Sequence, residues 1–232
     1  MTPRSYTITL REKREIAEQT IAASFVADQE VVFRPGQFAT LRNPSLSPQE
    51  ATRVFSFASA PSDTELLFVW RHSDSVWKRA AAEMAPGETL TMIAPAGHAT
   101  IPEGLPVVFL VAGIGITPVR SIVRDARYTG VKTDFVLLYS NRSRASTAFF
   151  DEFSRYNSEG VCRTVFTMTD DNQWNGERSM IDVECVRRHV PDIARRHIYI
   201  VGAGGFVRAM EGVVAQLGIA KDRIICDNFG GA

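Results

Sequence analysis

Cysteine is scarce in this chain of 232 residues: there are three, Cys162, Cys185 and Cys226. An odd number, so widely spaced, argues against a disulfide framework. It also excludes an internal plant-type iron–sulfur cluster, which needs closely grouped thiolates; buried structural thiols are expected instead. Histidine is as sparse (His72, His98, His189, His197) and forms no HExxH-like pair, so no protein-bound metal is expected. An excess of one charge is missing too. The 26 basic residues balance 26 acidic ones, which leaves no nucleic-acid footprint and no polybasic membrane patch. No apolar run approaches the roughly 20 residues of a membrane span, and Met1–Glu15 is too polar for a signal peptide. A cytoplasmic protein is the expectation.

What is present has two rhythms. The first hundred residues read as strands and turns. Strands are predicted over 6–10, 20–27, 37–42, 53–58, 65–71 and 88–93, where β-branched and aromatic residues concentrate. Turn signals separate them: Pro35-Gly36, Asn43-Pro44, Ala60-Pro61 and Pro86-Gly87. One helix is predicted over 75–84. Closely spaced strands of this kind suggest a small antiparallel β-barrel. The second half alternates strand and helix. Strands are predicted over 107–112, 134–139, 161–167, 198–201 and 224–226. Helices are predicted over 118–128, 147–156 (with Phe149, Phe150 and Phe153 inward), 182–189 and 206–217, the last capped by Gly218. Strict alternation implies an α/β unit with a five-stranded parallel sheet. The expected division is a domain over 1–103 and a second over 104–232, with the boundary near Pro102–Pro106.

Two glycine loops carry chemistry. Gly113-Ile-Gly115-Ile-Thr117-Pro118 follows the first parallel strand directly. Its glycines permit a tight turn and close approach of a phosphate. Thr117 is expected to cap the next helix, and Pro118 to take its first position. The helix N-terminus then offers free N–H groups to a pyrophosphate. Gly202-Ala-Gly204-Gly-Phe206 follows the fourth strand, at the same sheet edge, where ligands of open α/β sheets bind. A tight turn without a ligand is the plain alternative.

In the first half, Arg53-Val-Phe55-Ser56 places an arginine and an aromatic ring on one strand face, with a hydroxyl beside them. Such a trio can neutralise a phosphate, stack on a flat ring and hydrogen-bond a ring nitrogen. An ordinary half-buried strand reads equally well. Taken in order with Pro35-Gly-Gln-Phe38, Phe68-Val-Trp70-Arg71, Asp74-Ser75-Val-Trp77-Lys78, Ala94-Pro-Ala-Gly97 and the two glycine loops, this segment resembles the ferredoxin–NADP reductase superfamily over nearly the whole chain. The resemblance implies an FAD-binding barrel and an NAD(P)-binding α/β domain.

It also implies roles for single residues. Arg53 would pair with the FAD pyrophosphate, Phe55 stack on the isoalloxazine and Ser56 hydrogen-bond flavin N5. Trp70 and Arg71 would line the ribose or adenine side, and Ser75 the pyrophosphate; Trp70 and Trp77 serve equally as barrel packing. Gly113, Gly115, Thr117, Pro118, Gly202, Gly204 and Phe206 would hold the nicotinamide nucleotide, with Arg142 near its adenosine ribose. Phe229, in the Asp227-Asn-Phe229 ending, would lie near the flavin. Val201 stands where many relatives have cysteine, and alanine replaces the first glycine of the GPxG turn.

The implied activity is an FAD-dependent NAD(P)H reductase with no iron–sulfur domain of its own. It would pass electrons to a separate redox protein, such as a ferredoxin, a flavodoxin or an oxygenase component. Two alternatives stay open: a free-flavin reductase, and a non-catalytic flavin- or nucleotide-binding regulatory subunit. Nucleotide preference also stays open. Arg142, Arg144 and Arg178 favour a 2′-phosphate, and Asp170 and Asp171 oppose it.

Overall fold

A computed structural model of the chain describes residues 2–97, 101 and 104–229. The chain divides into two compact units, residues 1–100 with 117–128, and residues 101–116 with 129–232. Part of the boundary stretch expected at Pro102–Pro106 lies outside the described residues, as do His98 and Gly230–Ala232.

The first unit holds β1 (Arg4–Ala17), β2 (Thr20–Ala27), β3 (Phe38–Arg42), β4 (Thr52–Ser56), β5 (Leu66–Arg71), α1 (Val76–Glu83) and β6 (Thr89–Ala96). The strands form one antiparallel sheet in the order β4-β3-β6-β1-β2-β5. Period-two alternation turns Tyr6, Ile8 and Leu10 inward from β1, and Leu66, Phe68 and Trp70 from β5. The sheet curls so that its two edges meet just past β4: Ala58 N donates to Leu67 O at 2.9 Å, and Leu67 N donates to Ser59 Oγ at 3.1 Å. This is the expected barrel in the form of a curled six-stranded half-barrel, with Trp77 of α1 packed into its core.

β1 runs seven residues beyond the predicted end. Arg11–Glu15 has no apolar face, but backbone pairing with β2 continues past a register shift at Leu10/Glu12, so ladder hydrogen bonds carry it without burial. β6 likewise runs on to Ala96, into the segment expected as a turn; Gly97 follows at φ 90°, where a Cβ would stand 2.7 Å from Phe38 Cε1.

The remaining elements are β7 (Val107–Ala112), α2 (Ile116–Thr129), β8 (Phe135–Asn141), α3 (Phe150–Ser158), β9 (Arg163–Met168), α4 (Val183–His189), β10 (His197–Gly202), α5 (Gly204–Gln216) and β11 (Ile224–Asn228). Their five strands form the parallel sheet that the sequence predicts, and their order is β11-β10-β7-β8-β9. Val108, Leu110, Val136, Leu138, Ile198 and Ile200 bury one sheet face against Val186 of α4 and Val207, Met210 and Val214 of α5. Gly218, at φ 70°, takes up the expected cap: Ile219 N donates to Val214 O and Gly218 N to Ala215 O. α3 starts later than predicted. Phe149 is its N-cap at φ 58° and only Phe153 and Tyr156 are buried, because Ser146 and Thr147 fold the preceding residues into a turn through Ser143 O.

Residues 117–128 of α2 cluster with the first unit. Ser121 Oγ donates to Ser59 O at 2.7 Å, Arg120 Nη1 to Ala58 O, and Arg124 Nε to both carboxylate oxygens of Asp63 at 2.8–2.9 Å. Among the described residues no helix is long and apolar enough to cross a membrane.

Candidate functional site

In the first unit, β4 and the start of α1 build an anion cradle. Along β4, Thr52 and Val54 are exposed while Arg53 and Phe55 turn to the other face. Arg53 Nε is buried with no hydrogen-bond partner; its Nη1 donates to Thr52 O. Ser75 occupies the N-cap of α1, where serine ordinarily accepts from the helix's own amides. Here Oγ makes no such bond, and it too is buried without a partner. No acid lies in the first turn of α1, so the positive helix end is unmatched there.

Lys78, one turn in, has its ammonium pushed below the ordinary lysine value, first by burial and then by the charge of Arg53. Two like charges beside two unsatisfied buried donors are unfavourable on their own and favourable around a phosphate. The donor set therefore fits the pyrophosphate of a flavin dinucleotide. Lys78 was not among the sequence-predicted site residues; its signal is a lysine three residues after the N-cap serine in a turn without acids.

Phe55 packs 4.9 Å from Trp77 and 6.0 Å from Trp70, ring to ring. Trp70 is 2 % exposed and lies in the core cluster of this unit. Strand alternation also sends Arg71 to the opposite face, so the pair expected to line one ribose or adenine side divides between two faces. Ser56 closes β4, 6 % exposed.

In the second unit, the glycine loops meet at the topological switch of the sheet. β8 follows β7 in the chain, but β10 lies on β7's other side, so the loops leaving β7 and β10 share the carboxyl edge. Gly113–Gly115 forms a 3₁₀ turn that runs into α2. Gly113 adopts φ 54°, and Tyr139 Oη donates to its carbonyl at 3.0 Å. A Cβ on Gly115 would lie 2.6 Å from Val201 O and 2.9 Å from Val201 C; one on Gly202 would lie 2.9 Å from Phe206 Cδ1. Gly204 lies against the Asn228 side chain, and Phe229 N donates to Gly202 O at 2.9 Å.

The expected capping differs. The 3₁₀ turn delivers the chain to helix earlier, so Gly115 is the N-cap and α2 begins at Ile116. Thr117 is therefore inside the first turn and does not cap, and Pro118 is the third helical residue, where its missing N–H is still without consequence. Arg142 is exposed on the loop after β8, at the same sheet edge.

Three metal-capable donors, Glu177, Cys185 and His189, lie within 4.8 Å of one another. Their hydrogen bonds describe an ionic clasp. Glu177 Oε2 accepts from Arg188 Nη1 at 2.6 Å and lies 3.1 Å from His189 Nε2, and Oε1 accepts from Ser179 N and Oγ. The bond from His189, followed by that from Ser179 N, lowers the Glu177 carboxyl from 4.5 to about 2. A depressed carboxylate stabilises the fold fully above its unfolded value and loses that contribution as pH falls through the folded one. Glu177→Gln is thus expected to lower Tm at pH 7 by about 3–6 °C, for an effect of ~1–2 kcal/mol. The difference from wild type should shrink between pH 4.5 and about 2. Melts followed by circular dichroism across that range check it; a pH-independent difference refutes the assignment.

A family model for the oxidoreductase NAD-binding domain matches residues 109–212. The chain is 28 % identical, over 85 % of its length and 60 % of the relative's, to the ferredoxin–NAD(P)(+) reductase component of the naphthalene 1,2-dioxygenase system of Pseudomonas putida. It is 37 % identical, over 64 % of its length and 44 % of the relative's, to the ferredoxin reductase component of the 3-ketosteroid-9-alpha-monooxygenase of Rhodococcus rhodochrous. It spans 44–60 % of the length of five curated reductase components that it matches. In fold it is similar to the flavohem-like FAD/NAD-binding domain of nitric oxide dioxygenase from Vibrio cholerae O1 biovar El Tor. That likeness has a TM-score of 0.85 at 20 % identity and covers 97 % of this chain and 99 % of the other. With its ordered flavin-type and nucleotide-type segments on that fold, the chain is similar to reductases of the ferredoxin–NADP reductase type.

Proposed function

We propose that this chain is an FAD-dependent NAD(P)H reductase that passes electrons to a separate redox protein, such as a ferredoxin, a flavodoxin or an oxygenase component. The observation that carries it is the cradle of Arg53 Nε, Ser75 Oγ and Lys78 at the positive end of α1. Residues 1–103 act as the flavin domain and 104–232 as the nucleotide domain. The names of relatives, reductase components of dioxygenase and monooxygenase systems, support a protein acceptor. Three free cysteines go with a reducing, cytoplasmic setting.

A bound flavin supplies the chemistry, since it takes two electrons together from the nicotinamide and releases them singly. The chain's residues supply placement. Arg53, Lys78 and Ser75 would hold the pyrophosphate, Phe55 would offer its half-buried ring to the isoalloxazine, and Ser56 Oγ would donate to N5. Gly113 and Gly115 let a nucleotide pyrophosphate approach the start of α2, where no acid lies in the first turn. Arg142 stands by the adenosine ribose, and Gly202, Gly204 and Phe206 line the nicotinamide end. Phe229 is fastened by its amide to Gly202 O, beside the second glycine loop. Holding the reacting atoms close accounts for much of the acceleration in such a transfer.

Mixing the purified flavin-loaded protein with NADH or NADPH in a stopped-flow instrument tests this. Loss of the flavin absorbance near 450 nm within a second is expected with at least one nucleotide, and no bleaching with either ends the proposal. FAD retained through gel filtration separates this reading from a free-flavin reductase.

A further inference from the structure

Apart from the flavin-type and nucleotide-type segments, one cluster gathers donors of a kind that binds metal. Glu177, Cys185 and His189 each offer one ligand atom, and the three atoms lie within 4.8 Å of one another. The sequence has no HExxH-like pair, but the fold assembles the set differently. Cys185 and His189 are four residues apart on α4, so one helix face carries both. Glu177 comes from the edge of the parallel sheet. It forms an isolated parallel bridge with Thr167 of β9, and its carbonyl accepts from Met168 N at 3.0 Å. Regular backbone therefore positions the donors from both sides.

The spacing suits zinc. Bonds of roughly 2.0–2.3 Å in a tetrahedron put neighbouring ligand atoms about 3.3–3.6 Å apart. Glu177 Oε2 lies 3.1 Å from His189 Nε2, close to such an edge. A thiolate, an imidazole and a carboxylate together are softer than the all-oxygen sets that magnesium and calcium prefer. The carboxylate is also held from behind. Oε1 accepts from Ser179 N and Oγ, and Oε2 accepts from Arg188 Nη1. Such outer hydrogen bonds orient a metal ligand, and two carboxylate oxygens have lone pairs for these partners and an ion. The Arg188 side chain is largely exposed, so water and salt screen its charge. Cys185 is buried, while the side chains of His189 and Glu177 are partly exposed and give an ion its way in.

We propose that Glu177, Cys185 and His189 form a zinc site, three protein ligands and a water, that fastens α4 to the segment running along β9. On binding, the Cys185 thiol gives its proton to solvent and its sulfur bonds to the ion. The neutral imidazole exchanges its contact with Glu177 for a bond to the same ion, and no electron moves. The site stands apart from the flavin and nucleotide readings above and does not depend on them. Cobalt(II) and zinc are the probes, added to reduced, chelator-treated, flavin-loaded protein. One equivalent of cobalt is expected to give the d–d bands of a tetrahedral site, at wavelengths longer than oxidised flavin absorbs, and one equivalent of zinc to erase them. Zinc in excess is expected to raise Tm by mass action on the folded state. Cys185→Ser and, separately, His189→Gln are expected to lose the cobalt bands. Both should weaken zinc binding by at least about tenfold in competition with a chromophoric chelator, the scale of losing even an outer partner of a ligand. Cys226→Ser should keep both. His189 is partly exposed, so its variant reads the site even where Cys185→Ser fails to fold. Absence of tetrahedral cobalt bands in wild type overturns the proposal. So does zinc affinity unmoved in folded His189→Gln, or lost in Cys226→Ser, since the ion is then held elsewhere.

Discussion

Purified Arg53→Ala protein is expected to be nearly colourless, with its affinity for FAD lowered roughly 10–100-fold, the loss of one charge-assisted hydrogen-bond set worth about 1.5–3 kcal/mol. Fluorescence titration of apoprotein with FAD measures this. The expected effect on the apoprotein has the opposite sign. Burial and the Arg53 charge both push the Lys78 ammonium down, so removing Arg53 relieves a repulsion and the apo variant should melt no lower than apo wild type. An arginine that merely packed would lower both quantities together. Ser75→Ala should weaken FAD binding by less, since it removes one neutral donor. It should leave α1 intact, because Oγ makes no capping bond. Undiminished FAD stoichiometry and affinity in Arg53→Ala would show that the cradle holds something else.

Gly115→Ala is expected to raise the KM for the reducing nucleotide more than tenfold and to lower Tm by several degrees. The added methyl would stand 2.6 Å from Val201 O and 2.9 Å from Val201 C. Both are backbone atoms of a central strand, so no side chain can swing aside; the 3₁₀ turn must lift off the sheet edge. A pyrophosphate held by backbone N–H groups depends on that placement within tenths of an ångström. Gly212→Ala is the control. It sits inside α5 with nothing within 4 Å of its Cβ, and alanine there should stabilise the helix by about 0.5–1 kcal/mol. Steady-state kinetics and thermal melts of both variants decide the matter. A Gly115→Ala enzyme with wild-type KM would mean that the nucleotide is held elsewhere.

Where the two halves differ in legibility, the reason is burial. β7 was readable to the residue because Val107–Val111 is buried on both faces, and a continuous apolar run has no other cheap solution. The side-chain pattern of β1 stops seven residues short of the strand's end because Arg11–Ala17 is held by backbone pairing. Pro118 and Thr117 point to a start of α2 two residues late, because they are good start signals anywhere in a first turn. Only the three-dimensional course of Gly113–Gly115 shows where that turn begins. The resemblance assigns Trp70 and Arg71 to one side of the flavin site, and strand alternation sends their side chains to opposite faces.

The amino-acid order alone determined the two-part architecture, the parallel sheet of the second half and the two glycine loops, since periodicity and backbone freedom are local properties. Tertiary structure decided which charges meet. That Lys78 joins Arg53 and Ser75, and that Asp171 reaches back from one strand's loop to another's, depends on pairings between segments 22 and more residues apart. Electrostatic interaction falls off with distance through space, and chain separation carries no record of that distance.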